Sequence, residues 1–254
     1  MLVWYRQQVK DHGLPQATRL LGRVALSRSR VKLANKMLPV TIACPCCGWQ
    51  GRRFFDYLEV GYTVPNAACP QCDSHPRHRY LSLWLSREFK LEDKSGTALI
   101  FAPEKALASF WSKAPGLDVV RIDLEGAREV DTLADIKNLP IRSNSIDLIW
   151  CHHVLEHVDD DRAAIKELYR VLRPGSGELV VSVPMTAPGT MTEEYGFADL
   201  TQSGHWRIYG DDFETRLTES GFTVQAVQFN LREEDCRRYA FQPERFYVCR
   251  KDPT

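Results

Sequence analysis

The sequence predicts an α/β protein built on a doubly wound parallel sheet, preceded by a small cysteine-rich module. Three observations carry this. Short apolar runs alternate with amphipathic helical patterns from about residue 95 onward, two Cys-x-x-Cys pairs stand ahead of them, and a strongly basic segment precedes both. The 254 residues suffice for one ordinary α/β domain and an accessory module. At 44% apolar and 26% charged residues, the composition is globular and excludes disordered and fibrous classes.

The apolar runs are 97–101, 119–122, 146–151 and 178–183, and they have the two-sided apolar character of strands buried in a parallel sheet. Between the last two lies a helix. Ile165, Leu168, Tyr169 and Leu172 share one face at i, i+3, i+4 and i+7, Asp159 or Asp160 supplies the cap, and Arg173-Pro174-Gly175 the stop. Strand, helix, strand in succession means βαβ units. Residues 211–220 read as a helix ended by Gly221. The strand-like runs 222–229 and 245–250 follow with no long helical pattern between them, which fits an antiparallel edge.

Lys plus Arg and Asp plus Glu number 33 each, so the whole chain has no charge bias toward nucleic acid or membrane. Residues 1–43 nevertheless hold eight Lys or Arg against the single Asp11. This arm, with Leu20, Leu21 and Val24 among arginines, is expected to be helical. Peripheral contact with an anionic membrane is one expectation for it; a solvated or partner-docking helix is the other. No apolar run approaches the roughly 20 residues that span a bilayer, and no secretory signal pattern stands at the N-terminus, so a cytoplasmic location is expected.

Cys44-Pro45-Cys46-Cys47 and Cys69-Pro70-Gln71-Cys72 each set two thiols across a tight turn. Two such knuckles supply Cys44, Cys47, Cys69 and Cys72 as the four thiolates of a tetrahedral Zn2+ site. The competing reading is free or oxidised thiols. Cys46 is a spare neighbour, and His75 or His78 could substitute as a ligand. With all four positions filled by protein, the ion would be structural. The expected organisation is a basic arm over 1–43, a zinc ribbon and linker over 44–80, and the main domain over 81–254. Arg77-His78-Arg79-Tyr80 opens an apolar helical run, read either as a linker helix or as a patch for an acidic group.

The segment Ser145-Ile146-Asp147-Leu148-Ile149-Trp150-Cys151-His152-His153-Val154-Leu155-Glu156-His157-Val158, followed by Glu167 to Gly175, resembles the fourth strand and following helix of class I S-adenosylmethionine-dependent methyltransferases. The resemblance extends over about 95–252 and implies a seven-stranded Rossmann-like methyltransferase sheet. It also implies that Asp123 accepts the ribose hydroxyls of the cofactor, that Asp135 and Ile136 meet adenine, and that His152 and His153 stand at the ligand-binding end of the sheet. One departure is plain. The family's Gly-rich first loop is here Ala102-Pro103-Glu104-Lys105-Ala106, with Ala102, Pro103 and Glu104 expected against the methionine part and Glu104 near its ammonium.

Ser203-Gly204-His205-Trp206-Arg207 resembles a segment lying over the substrate in many small-molecule O-methyltransferases, which implies His205 as a general base, with His153 as its substitute. Residues 191–200 read either as a substrate-side loop or lid or as a plain solvated loop. The expected reaction is O-methylation of a small molecule or a glycan sugar. The alternatives are an rRNA or tRNA methyltransferase and a non-catalytic scaffold that kept the fold.

Overall fold

A computed structural model describes residues 2–126, 129–227, 229, 231–241 and 243–253. The chain divides into two compact units, one formed by 1–89, 105–110 and 230–243, the other by 90–104, 111–229 and 244–254.

The second unit is built on seven strands: β1 (Gly96–Phe101), β2 (Leu117–Asp123), β3 (Thr132–Leu133), β4 (Leu148–His152), β5 (Glu178–Ser182), β6 (Thr223–Ala226) and β7 (Tyr247–Arg250). Their order is β6-β7-β5-β4-β1-β2-β3. β7 runs antiparallel to both of its neighbours, and every other pairing is parallel. This order fits the doubly wound, Rossmann-like sheet expected from the sequence, with the antiparallel edge where the sequence put it. All five residues of β4 are buried, as a strand covered on both faces requires.

The start of β1 shows why a glycine stands there. Gly96 has φ +107°, and a Cβ on it would fall 2.3 Å from Asp147 Oδ2, the atom that accepts the Thr97 amide. Asp147 in turn pairs with Arg173 at 2.7 Å. The helix Asp161–Val171 is capped by Asp160, which accepts from the Ala163 amide at 2.9 Å. Asp159, the other candidate cap, instead pairs with Lys137 at 2.6 Å.

Two elements differ from the sequence reading. β3 is two exposed residues long and leaves no periodic signal. The 191–200 stretch is no simple loop: Glu193–Asp199 pairs antiparallel with His205–Ile208 across a bulge. No residue of its first strand is buried, so there was no apolar alternation to read.

The first unit holds the helices Leu2–His12, Leu14–Met37, Pro76–Arg87 and Glu233–Tyr239, with hairpins pairing Ile42–Ala43 to Gln50–Gly51 and Phe55–Leu58 to Thr63–Ala68. The arm and ribbon expected over 1–80 fall within it, together with 81–89 and the later pieces. On Leu14–Met37, Ala17, Leu20, Val24 and Val31 are buried, while Leu26, Leu33 and Met37 are exposed on the opposite side. Leu20 and Val24 pack with Leu58 of the second hairpin.

Arg79 is fully buried. It donates to the carbonyls of Ala67, Ser74, Tyr239 and Ala240, each at 2.7 Å, and lies 4.0 Å over the Phe54 ring. Burial lowers its pKa to about 10. This guanidinium is spent on backbone, so the reading of 77–80 as a patch for an acidic group fails at Arg79. No helix of the described residues is long and apolar enough to cross a membrane.

Candidate functional site

At the carboxyl ends of β1, β2 and β4 the second unit opens into a cleft of about 640 Å3. Ligands enter doubly wound sheets at this edge, because successive strand-to-helix loops diverge there. Its volume is that of an ordinary cofactor or small-molecule site. Ala102, Asp123, Asp135, Ile136 and His153 line it, five of the residues singled out from sequence. Pro103, Glu104, His152 and His205 are not among its walls.

Ala102 follows β1 with φ +45°, a left-handed conformation that glycine adopts without cost, and its amide donates to Ile122 at 2.8 Å. The loop therefore keeps the backbone form of a glycine turn while carrying a methyl group. Asp123 ends β2, its Oδ1 taking the Leu124 amide at 2.8 Å. Asp135 Oδ1 accepts from the Lys137 amide at 2.8 Å, and the Lys137 ammonium lies 3.8 Å from Oδ2. Lys137 also pairs with Asp159, which raises the pKa of the lysine and lowers that of the aspartate.

The end of β4 carries two histidines in different settings. His152 is buried, with Nδ1 bonded to Ser182 Oγ on β5 and Nε2 3.4 Å from Glu104 Oε2. His153 has φ +52° and its amide donates to the Ser182 carbonyl at 3.0 Å, a turn that leaves its ring at the cleft wall. Its Nδ1 is 3.1 Å from Glu156 Oε1, within ion-pair range.

Glu156 and His157 belong to the short turn Leu155–His157, and sequence reasoning quoted their motif without giving either a role. Glu156 is 0% exposed, and neither carboxylate oxygen has a hydrogen-bond partner among the described residues. The rings of His157 and His205 meet edge to face at 4.8 Å. Burial holds His205 below the ordinary histidine pKa, with His157 and His153 acting in the same direction and the Glu156 carboxylate against them. His205 is thus kept as a neutral imidazole near pH 7.

Arg207 fixes the hairpin to this turn. It is buried and donates to the carbonyls of Leu155 at 3.1 Å, Val158 at 2.5 Å and Asp159 at 2.6 Å, and to Glu194 at 2.8 Å. Glu194 also meets Arg216, which bonds Asp161 at 2.8 Å, and Asp161 accepts from the Tyr209 hydroxyl at 2.9 Å. The segment quoted for His205 therefore owes its position to its neighbour Arg207.

In the first unit, one Sγ from each of Cys44, Cys47, Cys69 and Cys72 lies within 4.8 Å of the others. The separations Cys44–Cys72 and Cys47–Cys69 are both 3.7 Å. A tetrahedron with metal–sulfur bonds of 2.3 Å has edges of about 3.8 Å. Among the described residues no cysteine is in a disulfide. Hydrogen bonds from Cys46, Cys69 and Cys72 drive the Cys44 pKa far down, the contact with Cys44 drives Cys46 up, and burial pushes Cys47 up to about 12. Thiols so crowded cannot all ionise without a cation among them. His78 Nδ1 is taken by the His75 amide at 2.9 Å, and neither histidine joins the cluster.

A methyltransferase domain model matches residues 103–181. The malonyl-acyl-carrier-protein O-methyltransferase of Gallionella capsiferriformans (strain ES-2) is 29% identical over 139 residues, 52% of this chain and 44% of that protein. Its counterpart in Hahella chejuensis (strain KCTC 2396) is 33% identical over 136 residues, 53% of this chain and 45% of that protein. The chain thus spans less than half the length of these relatives. Among solved structures, the 4+2 cyclase SpnF aligns with a TM-score of 0.51 at 19% identity, covering 70% of this chain and 82% of that one. That likeness extends to the fold alone.

Proposed function

We propose that this chain, which carries a class I S-adenosylmethionine-dependent methyltransferase domain, transfers the methyl group to an oxygen of a small molecule or of a glycan sugar. The observation that carries the reading is the cleft wall itself, which combines Asp123 at the end of β2 and Asp135 in the loop after β3 with His153 set against the buried Glu156. Both relatives named above are O-methyltransferases, which supports oxygen as the acceptor atom.

S-adenosylmethionine bound in this cleft would supply an activated methyl group for in-line displacement. Asp123 would hold the ribose hydroxyls, Asp135 and the Ile136 amide the adenine edge, and the turn at Ala102 the methionine end. His153 takes up the acceptor proton, and the Glu156 carboxylate stabilises the imidazolium that forms. His205, behind His157, is the second candidate base, kept neutral by burial.

Calorimetric titration of S-adenosylhomocysteine tests this reading. Saturable binding that is lost in Asp123→Ala supports it. No binding to the wild type would return the chain to the scaffold reading, since one fold serves a cyclase as well as methyltransferases.

The four cysteines are proposed as ligands of a structural Zn2+, on the strength of their tetrahedral spacing. The arm is proposed as a peripheral membrane contact. Leu26, Leu33 and Met37 are exposed on a helix carrying Arg19, Arg23, Arg28, Arg30, Lys32 and Lys36 and no acidic residue. Flotation with anionic but not neutral vesicles is the expected result, and its absence would remove the membrane from the account.

A further inference from the structure

We infer that Glu156, His157 and His205 form a second metal site, one that binds a divalent first-row transition ion beside the cleft. Its role depends on the methyl-transfer reading above; its binding does not. Glu156 is fully buried; His153 Nδ1 lies 3.1 Å from its Oε1, and neither oxygen has a hydrogen-bond partner among the described residues. A carboxylate in that position calls for a proton or a cation. One ligand atom from each of Glu156, His157 and His205 lies within 4.8 Å of the other two, close enough for small side-chain rotations to bring all three onto one ion. These residues come from two elements, the turn Leu155–His157 and the strand His205–Ile208, which Arg207 fastens together through the carbonyls of Leu155 and Val158.

The donor set decides the class of ion. Two imidazoles and one carboxylate suit Zn2+, Fe2+, Co2+ or Ni2+ and are a poor cage for Mg2+ or Ca2+, which prefer oxygen throughout. Three protein ligands also leave coordination positions open, unlike the cysteine tetrad, which fills all four. His157 lines the cleft, so an ion it holds has access to a bound acceptor. There it would take the acceptor oxygen as a ligand and ease its ionisation. The proton would pass to His153, the new bond would form between that oxygen and the methyl carbon, and the carbon–sulfur bond would break with its electron pair left on sulfur. No oxidant or reductant is involved.

The test is cobalt titration of the metal-free full-length protein, followed in the near-ultraviolet for cobalt–thiolate bonds and in the visible for all cobalt. Wild type is expected to take about one equivalent beyond that reported by the thiolate band. Glu156→Gln and His205→Asn are each expected to lose that equivalent while keeping the thiolate band, which doubles as a check of folding. Wild type taking no cobalt beyond the thiolate signal overturns the proposal, as does a folded variant of either kind that binds as much as wild type. S-adenosylhomocysteine titration of the same samples keeps the two readings apart. Binding there with no extra cobalt sinks the metal site alone, and extra cobalt without binding there sinks only its proposed role.

Discussion

The Nδ1 atom of His153 lies 3.1 Å from Oε1 of Glu156, a carboxylate that water does not reach. A histidine at a cleft wall with a buried carboxyl group behind it is suited to serve as a general base. His153→Gln is expected to lower single-turnover methyl transfer by about 100-fold or more, the usual share of a general base. Its affinity for S-adenosylhomocysteine should stay within about threefold of wild type. Equal loss in both would make His153 a binding residue only.

Arg79 satisfies four carbonyls at once, two of them, Ala67 and Ser74, through buried bonds and two, Tyr239 and Ala240, through part-buried ones. Arg79→Lys keeps the charge but cannot reach all four. A loss of about 3 kcal/mol or more in urea unfolding is expected, since each stranded buried carbonyl costs roughly 1–3 kcal/mol. A loss below about 1 kcal/mol would show that the carbonyls find other partners.

Glu178 opens β5 between Lys94 at 2.5 Å and Arg250 at 2.6 Å. Burial raises its pKa, but the two cations outweigh burial and leave it below the usual carboxylate value. A depressed folded-state pKa gives stability that is present above the unfolded value of about 4.3 and is lost as pH falls through the folded one. Glu178→Gln should therefore be less stable than wild type at pH 7 and show a shallower decline below about pH 4. Parallel declines in denaturant midpoint would refute the assignment.

Ala102 carries a methyl group in a left-handed turn at φ +45°. Relief of that strain in Ala102→Gly is offset by the greater freedom of glycine in the unfolded chain, so stability should stay within about 1 kcal/mol. Ala102→Val should cost about 2 kcal/mol and weaken S-adenosylhomocysteine binding, because a branched side chain neither fits that backbone nor leaves the cleft wall unchanged. Thermal melts and calorimetry on the pair of variants check both statements.

Cys69→Ser is expected to abolish the cobalt–thiolate band and to expose the first unit to proteolysis. An unchanged band would remove Cys69 from the ligand set.

What could be read from sequence followed the strength of the periodic signal. β1, β2, β4 and β5 are nearly continuous apolar runs, and they bring Ala102, Asp123 and His153 to one edge because residues at strand ends move with their strands. The tetrad was legible from the spacing of Cys44, Cys47, Cys69 and Cys72 alone. Glu156 was not, because a glutamate in a turn ordinarily faces water and only packing shows that this one does not. The hairpin bearing His205 was missed because the strand Glu193–Asp199 has no buried face, so its existence depends on Arg207 and on pairing rather than on pattern.

Arg79 also bears on the order in which the chain can acquire its structure. Two of its four carbonyls, those of Ala67 and Ser74, are made shortly before it; the other two belong to Tyr239 and Ala240. At translation speeds of 5–20 residues per second, roughly 10–30 s separate the emergence of the guanidinium from that of its last partners. During that interval the cysteine knuckles are complete in sequence while the first unit still waits for residues 230–243. A nascent chain arrested at residue 200 should therefore bind cobalt offered to its four cysteines less securely than the released protein, and a gene cut after residue 89 encodes an unfinished unit.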